Sequence, residues 1–217
     1  MSLIVYGVPL SPYVRKVCLC LAIKQLDYQL ELVSPFNQPA WFYQLNPLGR
    51  IPALKDGDLV LADSSVICQY LAEKHPQPRS LLGDSAEQRA QVRWLEKYAD
   101  YELAPLTTFT VFQQRIINPS MQKVCDDAQV KQAMTEQLPA HFDYLEQTLG
   151  SNDYFVGNAL TLADIAFASQ MVNMQHGGEC IDAQRWPNLA ALFARLSALP
   201  ILQSLLHNEQ AIVASMQ

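Results

Sequence analysis

The chain has no CxxC pair, no HExxH run and no apolar stretch near the roughly 20 residues that cross a bilayer. Its five cysteines, Cys18, Cys20, Cys68, Cys125 and Cys180, are odd in number and irregular in spacing, which fits reduced thiols better than a disulfide framework. Cys18 and Cys20 stand two residues apart in a helical pattern, so they do not face each other, and core packing is the reading they favour. The histidines at 75, 141, 176 and 207 have no partner at i+4, and no metal is expected. Positive charge is also scarce: 15 Lys and Arg against 21 Asp and Glu give a net charge of -6, and the basic residues are scattered. A nucleic-acid surface needs them clustered, so nucleic acid is not an expected partner, and neither is a membrane. The opening residues MSLIVYGVPLS carry neither a basic segment nor a small-residue cleavage site, so a cytoplasmic protein is expected.

What remains is a globular protein of 217 residues, half of them apolar, enough for one large domain or two small ones. LIVY at 3 to 6 reads as a buried strand, and apolar residues at 14, 17, 18 and 21 give an amphipathic helix. DYQLELV at 27 to 33 alternates as a second strand, so the start is one right-handed βαβ unit. A proline-rich loop leaves room for one helical turn. IPALKDGDLVL then predicts a hairpin turning at Asp56-Gly57 in type I′ geometry. Asp63 and Ser64 sit where an N-cap belongs, before a helix whose face is Val66, Ile67, Tyr70 and Leu71 and which ends at His75-Pro76.

Beyond HPQPRSLLGD no strand pattern appears. Ser85 with Gln88, Asp84 with Glu87, and Thr161 with Asp164 offer capping boxes, Asn118-Pro119 interrupts the first long helix, Pro139 predicts a kink in the second, and Pro187 and Pro200 open two more. The expected fold is an α/β thioredoxin-like N-terminal domain, βαβ-ββα with a mixed four-stranded sheet, over residues 1–76. A linker follows at 77–84, and an all-α domain at 85–217.

SPYVRKV (11 to 17), NPLGRIPAL (46 to 54), DGDLVLADSSVICQYL (56 to 71) and FVGNALTLADIAFA (155 to 168) stand in the elements that periodicity places independently. Together they resemble the cytosolic glutathione S-transferase family over essentially the whole chain, in its serine-using, bacterial-like form. The resemblance implies that Ile51-Pro52 is the family's cis-proline segment, presenting backbone groups to the cysteinyl part of glutathione. By itself Ile51-Pro52 would read as a trans proline opening a strand. It implies that Ser64 and the helix N-H groups bind the γ-glutamyl carboxylate, with Asp63 accepting from the ammonium, where Asp-Ser alone reads as a cap. Arg50 would hold the glycine carboxylate, and Asp100 would reach the γ-glutamyl group of a partner subunit. Tyr98, Tyr101, Glu102, Pro105 and Phe109 would border the electrophile pocket, although an aromatic stripe at helical spacing is by itself core.

The resemblance makes Ser11 the catalytic candidate, donating a hydrogen bond to the glutathione thiolate, with Tyr6 the rival. Glutathione is then a co-substrate, and no metal is required. The function implied is conjugation of glutathione to a hydrophobic electrophile by a homodimer. Alternatives are a glutathione-dependent peroxidase or isomerase, although the SSCS run of maleylacetoacetate isomerases is absent, or a non-catalytic relative like the stringent starvation proteins. A cysteine at position 11 would have pointed to disulfide exchange, which serine cannot perform.

Overall fold

Along the first strand, β1 (Leu3–Gly7), Leu3, Val5 and Gly7 are buried and Ile4 and Tyr6 are half-buried, the alternation that a pleated strand imposes. The computed structural model, which describes residues 3–216, continues into helix α1 (Pro12–Ile23) and strand β2 (Tyr28–Leu32), which pairs parallel to β1 with Leu3 opposite Tyr28. A single turn of helix, α2 (Phe42–Leu45), precedes the antiparallel strands β3 (Ala53–Asp56) and β4 (Leu59–Ala62), and helix α3 (Ser64–Lys74) follows. The sheet order is β2-β1-β3-β4, with β3 antiparallel to β1 through Tyr6 opposite Ala53. This is the mixed four-stranded thioredoxin-like sheet expected from the sequence.

Three local expectations shift. Asp56 pairs with Leu59, so the hairpin loop is Gly57-Asp58, one residue later than predicted. Only Gly57 has positive φ, at 61°, which is the type II′ pattern with glycine first and not type I′. The α3 face moves as well: Val66 is exposed, and Ile67, Cys68, Leu71 and Ala72 are buried. Helix α1 is not amphipathic, since every residue from Val14 to Leu21 is buried, Arg15 and Lys16 at 1% exposure included.

The chain divides into two units, Met1–Leu82 and Gly83–Gln217. Around the residues read as a linker, 77–84, Lys24 Nζ donates to the carbonyls of Pro76, just before them, and Arg79, within them, and Leu81 and Leu82 are buried. Among the described residues the second unit has no strand. Its helices are α4 (residues 86–120), α5 (residues 127–149), α6 (Leu162–His176), α7 (Pro187–Ser197) and α8 (Pro200–Met216). The prolines inside α4 and α5 each stand two residues beyond a π-helical stretch: Pro105 after Ala99–Leu103, Pro119 after Thr107–Ile117, Pro139 after Ala133–Gln137. A proline removes an N-H and collides with the carbonyl four residues back, and a widened turn shifts that carbonyl aside. Thr110 Oγ1 donates to the Pro105 carbonyl at 2.9 Å. No single helix among the described residues is long and apolar enough to cross a membrane.

Helix α6 is buried from Leu162 to Met174, and its start is fixed by the capping box. Asp164 Oδ2 accepts from Thr161 N at 2.8 Å and Thr161 Oγ1 at 2.9 Å, while Oδ1 accepts from Phe155 N at 2.9 Å, tying the FVGNAL turn to the helix. Replacing Asp164 by Ala removes a cap and strands buried donors, so we expect a loss of about 2 to 4 kcal/mol in urea unfolding. Burial raises this carboxyl from 3.8 to about 6, outweighing the hydrogen bonds from Phe155, Thr161 and its own backbone N-H, which favour its charged form. Between those values the folded chain holds a proton that the unfolded chain has released, so Asp164 favours folding more as pH falls through 6. The stability of wild type over Asp164→Asn should therefore be larger at pH 5 than at pH 7. Equal differences at the two pH values would show that Asp164 titrates alike in both states.

Candidate functional site

Three elements of the first unit meet at the end of β1. A Cβ built on Gly7 would lie 2.4 Å from Val14 Cγ2 and 3.5 Å from Ile51 Cβ, so glycine alone lets the first turn of α1 come this close. The approach sets Val14, in the first turn of α1, near Ile51, and Ser11, half-buried, stands at the start of that turn. Ser11 is the N-cap, with extended backbone (φ -74°, ψ 123°), and its Oγ accepts from Val14 N at 3.4 Å, a long bond. Pro12 occupies the first helical position, where its fixed φ suits the helix and its missing N-H loses nothing.

Asn46, 3% exposed, builds the turn that delivers Ile51. Its Oδ1 accepts from Leu48 N at 3.0 Å and its Nδ2 donates to the Arg50 carbonyl at 2.6 Å. Gly49, at φ 60°, sits so close to Tyr43 that a Cβ would lie 2.7 Å from its ring. The Arg50 side chain is exposed. The Ile51-Pro52 peptide is cis, and Ile51 lies two residues before the last β1–β3 pair, so its backbone is outside that ladder.

The start of α3 is the third part. Asp63 caps it, its Oδ1 accepting from Ser65 N at 2.9 Å and Val66 N at 3.1 Å. Its backbone stands at φ 74°, ψ 122°, a region that costs a non-glycine residue about 1 to 3 kcal/mol and persists only where the surroundings enforce it. The two capping bonds offset that cost. Ser64 is 5% exposed and Ser65 2%, and Ser65 Oγ accepts from Lys16 Nζ at 3.2 Å.

A helix start with a serine cap, a cis-proline segment and a second capped helix start are the frame that the four sequence motifs imply. Residues 5–79 match the model of the glutathione S-transferase N-terminal domain, and residues 114–209 match that of the C-terminal domain. The chain belongs to the glutathione S-transferase family. It is 32% identical to a probable maleylacetoacetate isomerase of Vibrio cholerae, over 92% of this chain and 93% of that one. It is 36% identical to glutathione S-transferase 3 of Zea mays, over 73% and 72%. A crystal structure of a glutathione transferase homologue from Drosophila mojavensis, with bound glutathione, superimposes with a TM-score of 0.80 at 28% identity, covering 99% and 97% of the two chains.

Within this glutathione S-transferase family chain, Tyr6 alternates away from Gly7 on β1, so its ring leaves the face that α1 approaches. It packs on Trp41 and Phe42, with ring centroids 5.9 and 6.5 Å away. Burial, then the Glu31 charge, raise its phenol above the ordinary tyrosine range. In the second unit Tyr98 donates or accepts at His141 Nδ1 over 2.7 Å and stacks on Tyr144 at 4.9 Å. Tyr101, Glu102, Pro105 and Phe109 are exposed on α4, the two aromatics at 63% and 56%, while Asp100 is 7% exposed. Lys97 Nζ lies 5.2 Å from the Tyr101 ring centre. Sequence reading passed over Asn46 and Lys16. The Asn-Pro-Leu-Gly run signalled the first as a side chain that builds its own turn, and two charges inside VRKVCLCLAI signalled the second.

The Gly7 contact has a testable cost. Gly7→Ala should destabilise the fold by about 1 to 3 kcal/mol by overpacking, and Val14→Ala, which removes the colliding methyl groups, should recover part of it. Additive losses in the double variant, read by denaturant unfolding, would mean that the clash is not with Val14.

Proposed function

We propose that the chain is a glutathione transferase in which Ser11 holds the glutathione thiolate and the exposed side of α4 bearing Tyr101, Glu102, Pro105 and Phe109 receives a hydrophobic electrophile. The observation that carries this reading is the approach of the first turn of α1 to Ile51 across Gly7, which brings the helix that Ser11 caps to the cis-proline segment. A capping serine uses its oxygen as acceptor, so its own proton can be donated to sulfur. A free thiol with pKa about 8.5 is a few per cent ionised at neutral pH, and each unit of lowering takes about 1.4 kcal/mol. One hydrogen bond to a charged group, roughly 1.5 to 3 kcal/mol, with a helix dipole at about 0.3 to 1, supplies one to two units. Ile51 would offer its backbone to the cysteinyl part, Asp63 and Ser64 would take the γ-glutamyl end, and Arg50 the glycine carboxylate. The position of Tyr6, packed on Trp41 and Phe42, favours Ser11 over it. Asp100 is left out because its side chain is buried. We propose a cytoplasmic homodimer, as is typical of the family.

The 32% identity to a probable maleylacetoacetate isomerase favours a second reading, in which the same thiolate adds to a substrate double bond and leaves again after rotation. PLSPYVRKV in place of an SSCS run weighs against it. Parallel assays with a halogenated aromatic and with maleylacetoacetate separate the two.

Retention on immobilised glutathione tests the common part, and a folded chain that flows through would overturn it. Ser11→Ala should lower conjugation of an aromatic electrophile at least tenfold. Its stability should fall by no more than about 1 kcal/mol, since only one long cap bond is lost. Tyr6→Phe should turn over as wild type. Equal turnover of wild type and Ser11→Ala would move the role to Tyr6.

A further inference from the structure

Buried Asn46 is bonded at every polar group. Its N-H donates to the Phe42 carbonyl at 2.9 Å, its carbonyl accepts from Gly49 N at 3.0 Å, and the two ends of its side-chain amide meet Leu48 N and the Arg50 carbonyl. Gln38, half-buried in the loop before α2, works on the neighbouring peptide. Its Nε2 donates to the carbonyls of Gly49 and Pro35, and its Oε1 accepts from the Tyr43 hydroxyl at 3.3 Å. Two side-chain amides thus hold two consecutive carbonyls, those of Gly49 and Arg50.

A peptide unit is planar, so a held carbonyl also aims the N-H of the residue after it. Gln38 fixes the plane that carries Arg50 N-H, and Asn46 fixes the plane that carries Ile51 N-H. The Cα of Arg50 stands between the two planes, so the start of its side chain is fixed with them. The Arg50-Ile51 peptide is trans, which turns Ile51 N-H away from Asn46. We propose that Asn46 is a positioning residue of the glutathione site, which through the Arg50 carbonyl aims Ile51 N-H at the cysteinyl carbonyl of glutathione, with Gln38 holding the plane before it. The proposal rests on the glutathione reading above. This loop is exposed, with Phe36, Trp41 and Leu48 at 50%, 48% and 70%. Without the two amides its backbone would sample several orientations, and selecting one would be charged against ligand binding.

The test is titration calorimetry of wild type, Asn46→Asp and Gln38→Ala with two ligands: glutathione, and γ-glutamylcysteamine, which keeps the γ-glutamyl end and the thiol and lacks the cysteinyl carbonyl and the glycine. Asn46→Asp keeps an oxygen for Leu48 N and has no donor for the Arg50 carbonyl. It should bind glutathione about tenfold more weakly, about 1.4 kcal/mol, and bind the analogue within about twofold of wild type. Gln38→Ala should shift in the same direction, and it carries the test should Asn46→Asp fail to fold by circular dichroism. A second readout needs no analogue: at saturating glutathione the thiolate absorbance of the bound sulfur should titrate at higher pH in Asn46→Asp, because a cysteinyl group out of register leaves Ser11. Equal weakening for both ligands would reveal a loosened fold and overturn the proposal, as would unchanged glutathione binding, or an unchanged thiolate titration, in a folded variant. Binding of neither ligand by wild type would overturn the glutathione reading itself, and the proposal with it.

Discussion

A Cβ at Gly7 would stand 2.4 Å from Val14, and the whole candidate site depends on that Cβ being absent. With it, α1 would have to lift from the end of β1. The first turn of α1, with Ser11 at its start, would then move away from Ile51. Without it, a backbone strand end and a helix start share one small region, and the chemistry there needs no charged protein base. The donor proposed there is one hydroxyl, at the positive end of the α1 dipole. The contact that places the serine is therefore apolar, while the function proposed for it is polar.

The start of α3 shows the opposite balance. Asp63 holds an unfavourable backbone conformation, and its own carboxylate, bonded to Ser65 and Val66 N-H, holds it there. That arrangement puts a negative charge at a helix end whose proposed use is to receive another. Lys16 reaches the same turn from α1 through Ser65. Strain and cap make one unit, since the cap offsets the strain, and the α1 lysine is bonded to the same turn. The exposed hairpin end is tied to this helix separately, through Tyr70 and Lys74, both bonded to Asp56 Oδ2.

The helical unit meets a different constraint, since its two longest helices carry prolines in their interiors. It accommodates them by widening the turn just before each one, so α4 runs on from residue 86 to 120 with Pro105 and Pro119 inside it. The central helix α6, with no exposed residue before Gln175, has its start fixed by Asp164 and Thr161. Family membership accounts for both units. In the proposed function the electrophile side would depend on α4 side chains such as Tyr101 and Phe109, which are exposed.

What was legible in the sequence was whatever depends on neighbours in the chain. The caps at Ser11, Asp63, Ser85 and Thr161 lie where the residue types predict, because a cap joins residues two or three apart. The strand alternation and the single turn in the proline-rich loop are local in the same sense. The hairpin register failed by one residue, because Asp56-Gly57 and Gly57-Asp58 both suit a two-residue loop and the pairing of Asp56 with Leu59 decides between them. The burial of Lys16 was signalled by the charges inside VRKVCLCLAI, but periodicity pointed the other way. Periodicity assigns a lysine between two buried valines to the solvent side of an amphipathic helix, whereas its ammonium turns inward to an acceptor 49 residues away. A charge inside an apolar run marks either an error in the helix assignment or a partner from elsewhere in the fold. In α1, where the run continues unbroken through Cys18, Leu19, Cys20 and Leu21, the second explanation is the one that agrees with the helix.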